Sequence, residues 1–187
     1  MTDIRRTDVD TVLVTTSHVA DEPSGLADVK PDPDVVRALG LLTLSRFVSV
    51  DGDTVLAYGQ ATGAPPELPG AATYRLGRTV VLAAGTPACV VAATFDVDGP
   101  GRQHAIIDAI AGSLTEAPGL LSANFHTSVD GGRVLNYAEW TSEEEHIAFL
   151  DGATRATTLR VSNTTPGVRP IGFVRYRPEW TVDLTNI

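Results

Sequence analysis

GLLTLSRFVSVDGDTVLAYGQATG, residues 40–63, returns 79 residues later as GLLSANFHTSVDGGRVLNYAEWTS, residues 119–142, without a gap and with 11 of 24 positions identical. What repeats is scaffold: Gly-Leu-Leu, Ser-Val-Asp-Gly, Val-Leu and a tyrosine. What differs includes Asn136 and Trp140, which stand where the first copy has Ala57 and Ala61. A repeat of this length marks a duplicated structural unit. Polar and aromatic residues confined to the second copy suggest that one half is structural and the other holds a site.

The repeated core reads as a hairpin. Asp51-Gly52 and Asp130-Gly131 are expected to supply the positive φ angles of tight turns, with alternating residues on both sides. A two-residue turn pairs Val129 with Gly132 and sets Phe125 opposite Asn136, which puts Ala123, Phe125, Thr127, Val134, Asn136, Ala138 and Trp140 on one face. A three-residue turn would pair His126 with Asn136 instead, so the register stays open at this point. Strands are expected at residues 12–19 and 90–97 before the hairpins, and at 73–82 and 171–176 after them. Between strand and hairpin the second copy carries a helix over 102–114, with Ile106, Ile110 and Leu114 at helical spacing and Gln103 and Asp108 turned elsewhere. The first copy, broken by Pro31 and Pro33, allows regular helix only over 34–39. After the second hairpin, Ser142 with Glu145 forms a capping box opening a helix at His146–Leu150, which could run on to about Leu159 despite Gly152. The first copy has there only the proline-rich stretch 64–70, expected to hold no helix.

The order β-α-β-β-(α)-β twice over predicts an α+β fold, duplicated ferredoxin-like units forming one barrel within a single chain. The expected division is 1–84, a degenerate first repeat, and 85–187, a second repeat carrying the site.

A net charge of −9 over 187 residues argues against nucleic acid and anionic membrane surfaces as partners. No apolar run is long enough to span a bilayer, and residues 1–6 lack the apolar core of a signal peptide. A cytoplasmic location is therefore expected, with residues 1–10 charged and loose. The single cysteine, Cys89, lies in an apolar run and reads as buried filler.

The stretch PGLLSANFHTSVDGGRVLNYAEWTSEEEHIAFL, residues 118–150, resembles the antibiotic biosynthesis monooxygenase family of dimeric α+β barrels. The likeness covers residues 90–150 well and 12–82 weakly. Within that family it is similar to cofactor-free monooxygenases that oxidise anthrones in aromatic polyketide pathways. The resemblance implies an asparagine and a tryptophan four residues apart at the site, met here by Asn136 and Trp140, and an arginine twenty residues beyond, met by Arg160. Two family tyrosines are replaced by Phe125 and His146, so the phenols of a family proton relay are not kept. A haem-degrading branch would need a histidine where this chain has Leu150.

The residues themselves fit that expectation. Asn136 and Trp140 share a strand face roughly 13 Å apart, a span suited to a flat polycycle. An amide and an indole N–H can both donate to an oxygen that becomes an enolate. His146, in the first turns of a capped helix, is expected to stay neutral and could accept a proton. Each has a plain structural alternative: a loop-bonded strand amide, a core aromatic, a half-exposed helix histidine. Arg160 could anchor a phenolate or carboxylate, or pair with Glu143 or Asp151. His126 falls on the opposite face with Leu135 and Tyr137, and reads as an interior or surface histidine.

The expected function is a monooxygenase acting on an aromatic polyketide with O₂ and no cofactor. Asn136, Trp140 and His146 would be catalytic, and Phe125 and Arg160 would bind substrate. A non-redox polyketide-binding or cyclase-like protein, and a ring-cleaving oxygenase borrowing reduced flavin, are the rivals. Homodimerisation is compatible with all three.

Overall fold

The computed structural model describes residues 3–21, 29–63, 68–114 and 116–186. Strands β1 (Thr11–His18), β2 (Thr43–Ser49), β3 (Thr54–Ala61) and β4 (Ala72–Val81), with a one-turn-and-a-half helix α1 (Pro33–Ala38), make the first repeat. The second has strands β5 (Cys89–Val97), β6 (Leu120–Ser128), β7 (Arg133–Trp140) and β8 (Val168–Asp183). Its helices are α2 (Pro100–Ser113), α3 (Glu143–Leu150) and α4 (Ala153–Thr164). The eight strands hydrogen-bond in the closed order β1-β3-β2-β8-β5-β7-β6-β4, so each repeat has the 4-1-3-2 order of a ferredoxin-like sheet. The duplicated α+β barrel expected from the sequence is thus present. By internal contacts the chain divides into one compact unit of Met1–Arg75 with Tyr176–Ile187 and another of Leu76–Arg175. That division cuts through β4 and β8, whereas the division at 84/85 follows the repeat.

The repeated residues explain themselves in the turns. In β6–β7 the register is Phe125 with Asn136, His126 with Leu135 and Thr127 with Val134, which selects the first of the two registers. Only the glycines, Gly52 and Gly131, have positive φ (82° and 80°). The aspartates, expected to share that conformation, instead brace the turn through their carboxylates. Asp130 accepts from the Ser128 hydroxyl (2.6 Å) and from the Gly132 amide (3.0 Å), and the Ser128 Oγ in turn accepts from the Arg133 amide (2.8 Å). Ser49, Asp51, Asp53 and Thr54 reproduce the same three bonds at 2.5, 3.1 and 2.9 Å. The repeat therefore keeps Ser-Val-Asp-Gly because serine and aspartate together satisfy turn amides that no strand can reach. The leading glycines repeat for a related reason: Gly40 and Gly119 have φ of 69° and 79°. Gly40 ends α1 in a Schellman motif, its amide bonding the Arg37 carbonyl (3.0 Å) and that of Leu41 the Val36 carbonyl (3.2 Å).

Within the first unit, α1 begins at Asp32, whose carboxylate accepts the Asp34 amide (2.8 Å), with Pro33 at the first helical position. It buries Val36 against Leu13, Leu41, Ala61 and Val182. Residues 1–10 are not the loose arm expected, as far as they are described. Ile4 is buried, and Arg6 pairs with Asp8 (2.5 Å) and Asp183 (3.3 Å). β8 runs 16 residues, where the sequence suggested only its middle. Pro178 pairs with Phe47 at a β-bulge, and Glu179, in the bulge, meets Arg46. The expected lack of helix at 64–70 lies largely outside the described residues.

Within the second unit, α2 packs Ile106, Ile107, Ile110 and Ala111 onto the sheet together with Val91, Ala123, Phe125, Val134 and Ala138. Gln103, expected to face away, is buried. Its amide donates to the Ser128 carbonyl (3.0 Å) and the Arg133 carbonyl (2.8 Å), tying the helix to the hairpin turn. Asp108 does face out and pairs with Arg78 (2.7 Å). α3 opens with the Glu145 amide on the Ser142 hydroxyl (3.2 Å) and stops at Leu150. Asp151 and Gly152 interrupt it before α4, so the helix expected to run through Gly152 is two helices. Cys89 is buried in the core, as its surroundings suggested.

Gly119 has no room for a side chain: a Cβ there would lie 2.3 Å from the Glu145 Cβ, in a left-handed conformation besides. Gly119→Ala is expected to destabilise the protein by about 2–3 kcal/mol, read as a lower urea midpoint at unchanged slope. A midpoint equal to that of the parent would show that α3 can shift to accommodate it.

Candidate active site

A half-open pocket lies within the second unit, between the β5–β7–β6 face and helices α2, α3 and α4, with β8 at its edge. It encloses about 760 Å³ of space not filled by atoms, its mouth included. The hairpin register builds its floor. Asn136, Ala138 and Trp140 alternate on the β7 face, with Ala93 and Val91 beside Asn136 and Ala138 on β5. Small alanines on that face leave the volume that larger side chains would fill.

Three of the residues singled out in the sequence meet at this pocket: Asn136, Trp140 and His146. Each carries a buried polar atom without a hydrogen-bond partner among the described residues: Asn136 Oδ1, Trp140 Nε1 and His146 Nδ1. A buried orphan of this kind costs about 1–3 kcal/mol unless a ligand or water satisfies it. The rings form one cluster. His146 stands edge-on to Trp140 at 5.0 Å between centroids and to Phe173 at 5.1 Å, and Phe149 lies 5.2 Å from Trp140. Burial pulls the His146 imidazole down from 6.5 to about 4, and the positive charges of Arg175 and Arg155 act in the same direction. The expected neutral state is therefore reached by desolvation and nearby arginines, whereas the sequence pointed to the helix dipole.

The other two residues are placed differently. Phe125 sits directly across the ladder from Asn136, fully buried in the core cluster that includes α2, and does not line the pocket. Arg160 is exposed on α4 and does not line the pocket. The arginine that does is Arg155, five residues earlier and so about 140° away around the helix. It is half-buried, and burial alone lowers its pKa. Glu143, one expected partner for Arg160, lies 3.7 Å from Arg175 instead.

Arg155, Thr158, Leu159 and Ser162 line the pocket at i, i+3, i+4 and i+7, a helical spacing present in the sequence but hidden by the polar composition of α4. Phe149 follows His146 at i+3 and was open to the same reasoning. Phe173, beside Gly172 in β8, carried no signal. His126 lies on the opposite face of β6, fully buried, its Nδ1 3.0 Å from the Asn124 carbonyl. Burial takes it down to about 4, partly opposed by hydrogen bonds to the backbone of Asn124 and Leu135. Among the described residues no cluster of three or more His, Cys, Asp or Glu is arranged to hold a metal ion.

No protein-family model matches the chain. A 48-residue stretch is 40% identical to tetracenomycin-F1 monooxygenase of Streptomyces glaucescens, spanning 26% of this chain and 42% of that enzyme. Among solved structures, an anthrone oxidase-like protein superposes with a TM-score of 0.66 at 15% identity, over 95% of this chain and 94% of its own. A ferredoxin-fold protein of Listeria monocytogenes related to antibiotic biosynthesis monooxygenases gives 0.54 at 16% identity, over 92% and 96%. The chain thus has the fold of proteins related to antibiotic biosynthesis monooxygenases, and a quarter of it resembles tetracenomycin-F1 monooxygenase in sequence.

The two buried imidazoles make stability depend on pH. Both folded values, about 4, lie below the ordinary 6.5, so the unfolded chain binds more protons between those limits. Stability is expected to be full above about pH 6.5 and to be lost as pH falls through the window to about 4. Urea midpoints at pH 7.5 and 4.5 should show the drop, and His146→Phe should remove part of the slope. Equal midpoints at both pH values would mean that the imidazoles become charged without unfolding cost.

Proposed function

We propose that this chain is a monooxygenase that oxidises an aromatic polyketide, turning an anthrone-type methylene into a quinone carbonyl with O₂ and without metal or bound flavin. The observation that carries the reading is the convergence of three orphaned polar atoms, from Asn136, Trp140 and His146, on one mainly apolar pocket. The partial likeness to tetracenomycin-F1 monooxygenase supports it.

The chemistry follows from the groups present. A polycycle lies between Trp140, Phe149 and Phe173, which exclude water. Neutral His146 removes a proton from the activated carbon, and the electron pair delocalises onto the ring carbonyl as an enolate. Trp140 Nε1–H donates to that oxygen. The Asn136 amide can join it, since a half-turn about its last bond exchanges oxygen for NH₂ in the same space. The carbanion gives one electron to O₂, and recombination of the two radicals forms the C–O bond of a peroxide, which takes a proton from His146. Loss of the second proton from that carbon breaks the O–O bond, releasing water and leaving the carbonyl. Substrate carbon is oxidised and O₂ reduced, one oxygen atom going to each product.

Oxygen uptake with anthrone by metal-stripped, flavin-free protein tests this. Asn136→Ala is expected to lose ~10²-fold in kcat, because its contact strengthens as negative charge develops. His146→Phe keeps the ring packing but removes the base and should lose ~10²–10⁴-fold. With a base near 4, kcat/KM should be flat above about pH 5 and fall below about pH 4. Uptake no faster than the protein-free rate, across several anthrones, would overturn the reading in favour of a non-redox binding or cyclase-like role.

A further inference from the structure

Arg155 is a charge out of place. It occupies the first turn of α4, a helix with no side-chain cap and no acidic residue in that turn, where the helix dipole disfavours a cation. It lines a pocket whose other walls are mainly apolar. Burial lowers its pKa, and it has no carboxylate partner among the described residues. The neighbouring arginine, Arg175, is already held by Glu143 and lies 6.0 Å from the Phe173 ring. His146 is neutral and offers no charge of its own.

A half-buried cation without a partner is stabilised when an anion joins it, and in a chain of net charge −9 an anion is admitted only by such a local cation. A guanidinium presents parallel N–H groups that match the two oxygens of a carboxylate, a geometry a single phenolate oxygen cannot use. We propose that the ligand of this pocket is a carboxylated polycycle, and that Arg155 pairs with its carboxylate while the rings lie against Trp140, Phe149 and Phe173. The proposal deepens the reading above, since it names the substrate class of the same site, and Arg155 is then the residue that sets specificity.

Binding of anthraquinone-2-carboxylate, its neutral carboxamide and 2-hydroxyanthraquinone, followed by quenching of tryptophan fluorescence, tests it. The carboxylate is expected to bind at least ~10-fold more tightly than the carboxamide, the scale of one charge-assisted contact. Arg155→Gln should abolish that preference and leave carboxamide affinity within about twofold, Arg155→Lys should restore part of it, and Arg175→Gln should leave it intact. Equal affinity for acid and amide, a preference that survives Arg155→Gln or is lost in Arg175→Gln, tighter binding of the phenol, or no binding of any probe would each overturn the proposal. Oxygen is not consumed in this experiment. A carboxylate preference without oxygen uptake would therefore defeat the monooxygenase reading alone, and uptake without the preference would defeat the carboxylate alone.

Discussion

A slip of one residue in the β6–β7 ladder would turn every side chain on β7 to the other face of the sheet. Leu135, Tyr137 and Glu139 would then face the helices, and Asn136, Ala138 and Trp140 would face away. The site therefore rests on what fixes that register, which is a small polar assembly at the turn. Ser128 and Asp130 hold the amides of Gly132 and Arg133, and Gln103 reaches from α2 to the carbonyls on both sides. Nothing in this assembly touches the pocket. It couples the helix that covers the sheet to the strand phase, so that the covering layer and the polar residues come into position together.

The two repeats spend the same framework differently. Thr43 with Gln60 (2.7 Å) and Ser122 with Glu139 (2.6 Å) are equivalent cross-strand pairs, so even side-chain bonds off the pocket face survive duplication. On the pocket-equivalent face the copies part. Ala61 stands where Trp140 does and is closed over by Val36 and Leu41, leaving an ordinary small core. In the second copy, alanines on the sheet and two helices leave a space, and Asn136 Oδ1, Trp140 Nε1 and His146 Nδ1 at its wall have no partner among the described residues. Packing in one copy and incomplete packing in the other follow from a few substitutions on a common strand pair.

Much of this was legible before any coordinates. The gap-free repeat with its Ser-Val-Asp-Gly turns indicated duplicated hairpins, and alternation from Phe125 to Trp140 indicated which residues share a face. The strand–helix order then left little choice of fold. Asn136, Trp140 and His146 were reachable because they break the repeat or follow a capping box. What was not legible depends on contacts between segments distant in sequence. Arg155 rather than Arg160 faces the pocket because α3 stops at Leu150 and α4 starts afresh, which resets the helical phase. The role of Gln103 needs the hairpin turn beneath it, and the length of β8 needs its bulge opposite β2, which makes Pro178 tolerable. Phe173 is a wall only because His146 is opposite.

Carrying both repeats on one polypeptide has an evolutionary consequence. In an assembly of two identical subunits every substitution is expressed twice, so a change that suits one site is imposed on its twin. Here Ala61 lies in a closed core, while Asn136 and Trp140 line an open pocket. Selection can accordingly retune the second copy for a new ligand while the first copy keeps the strands and turns that close the fold.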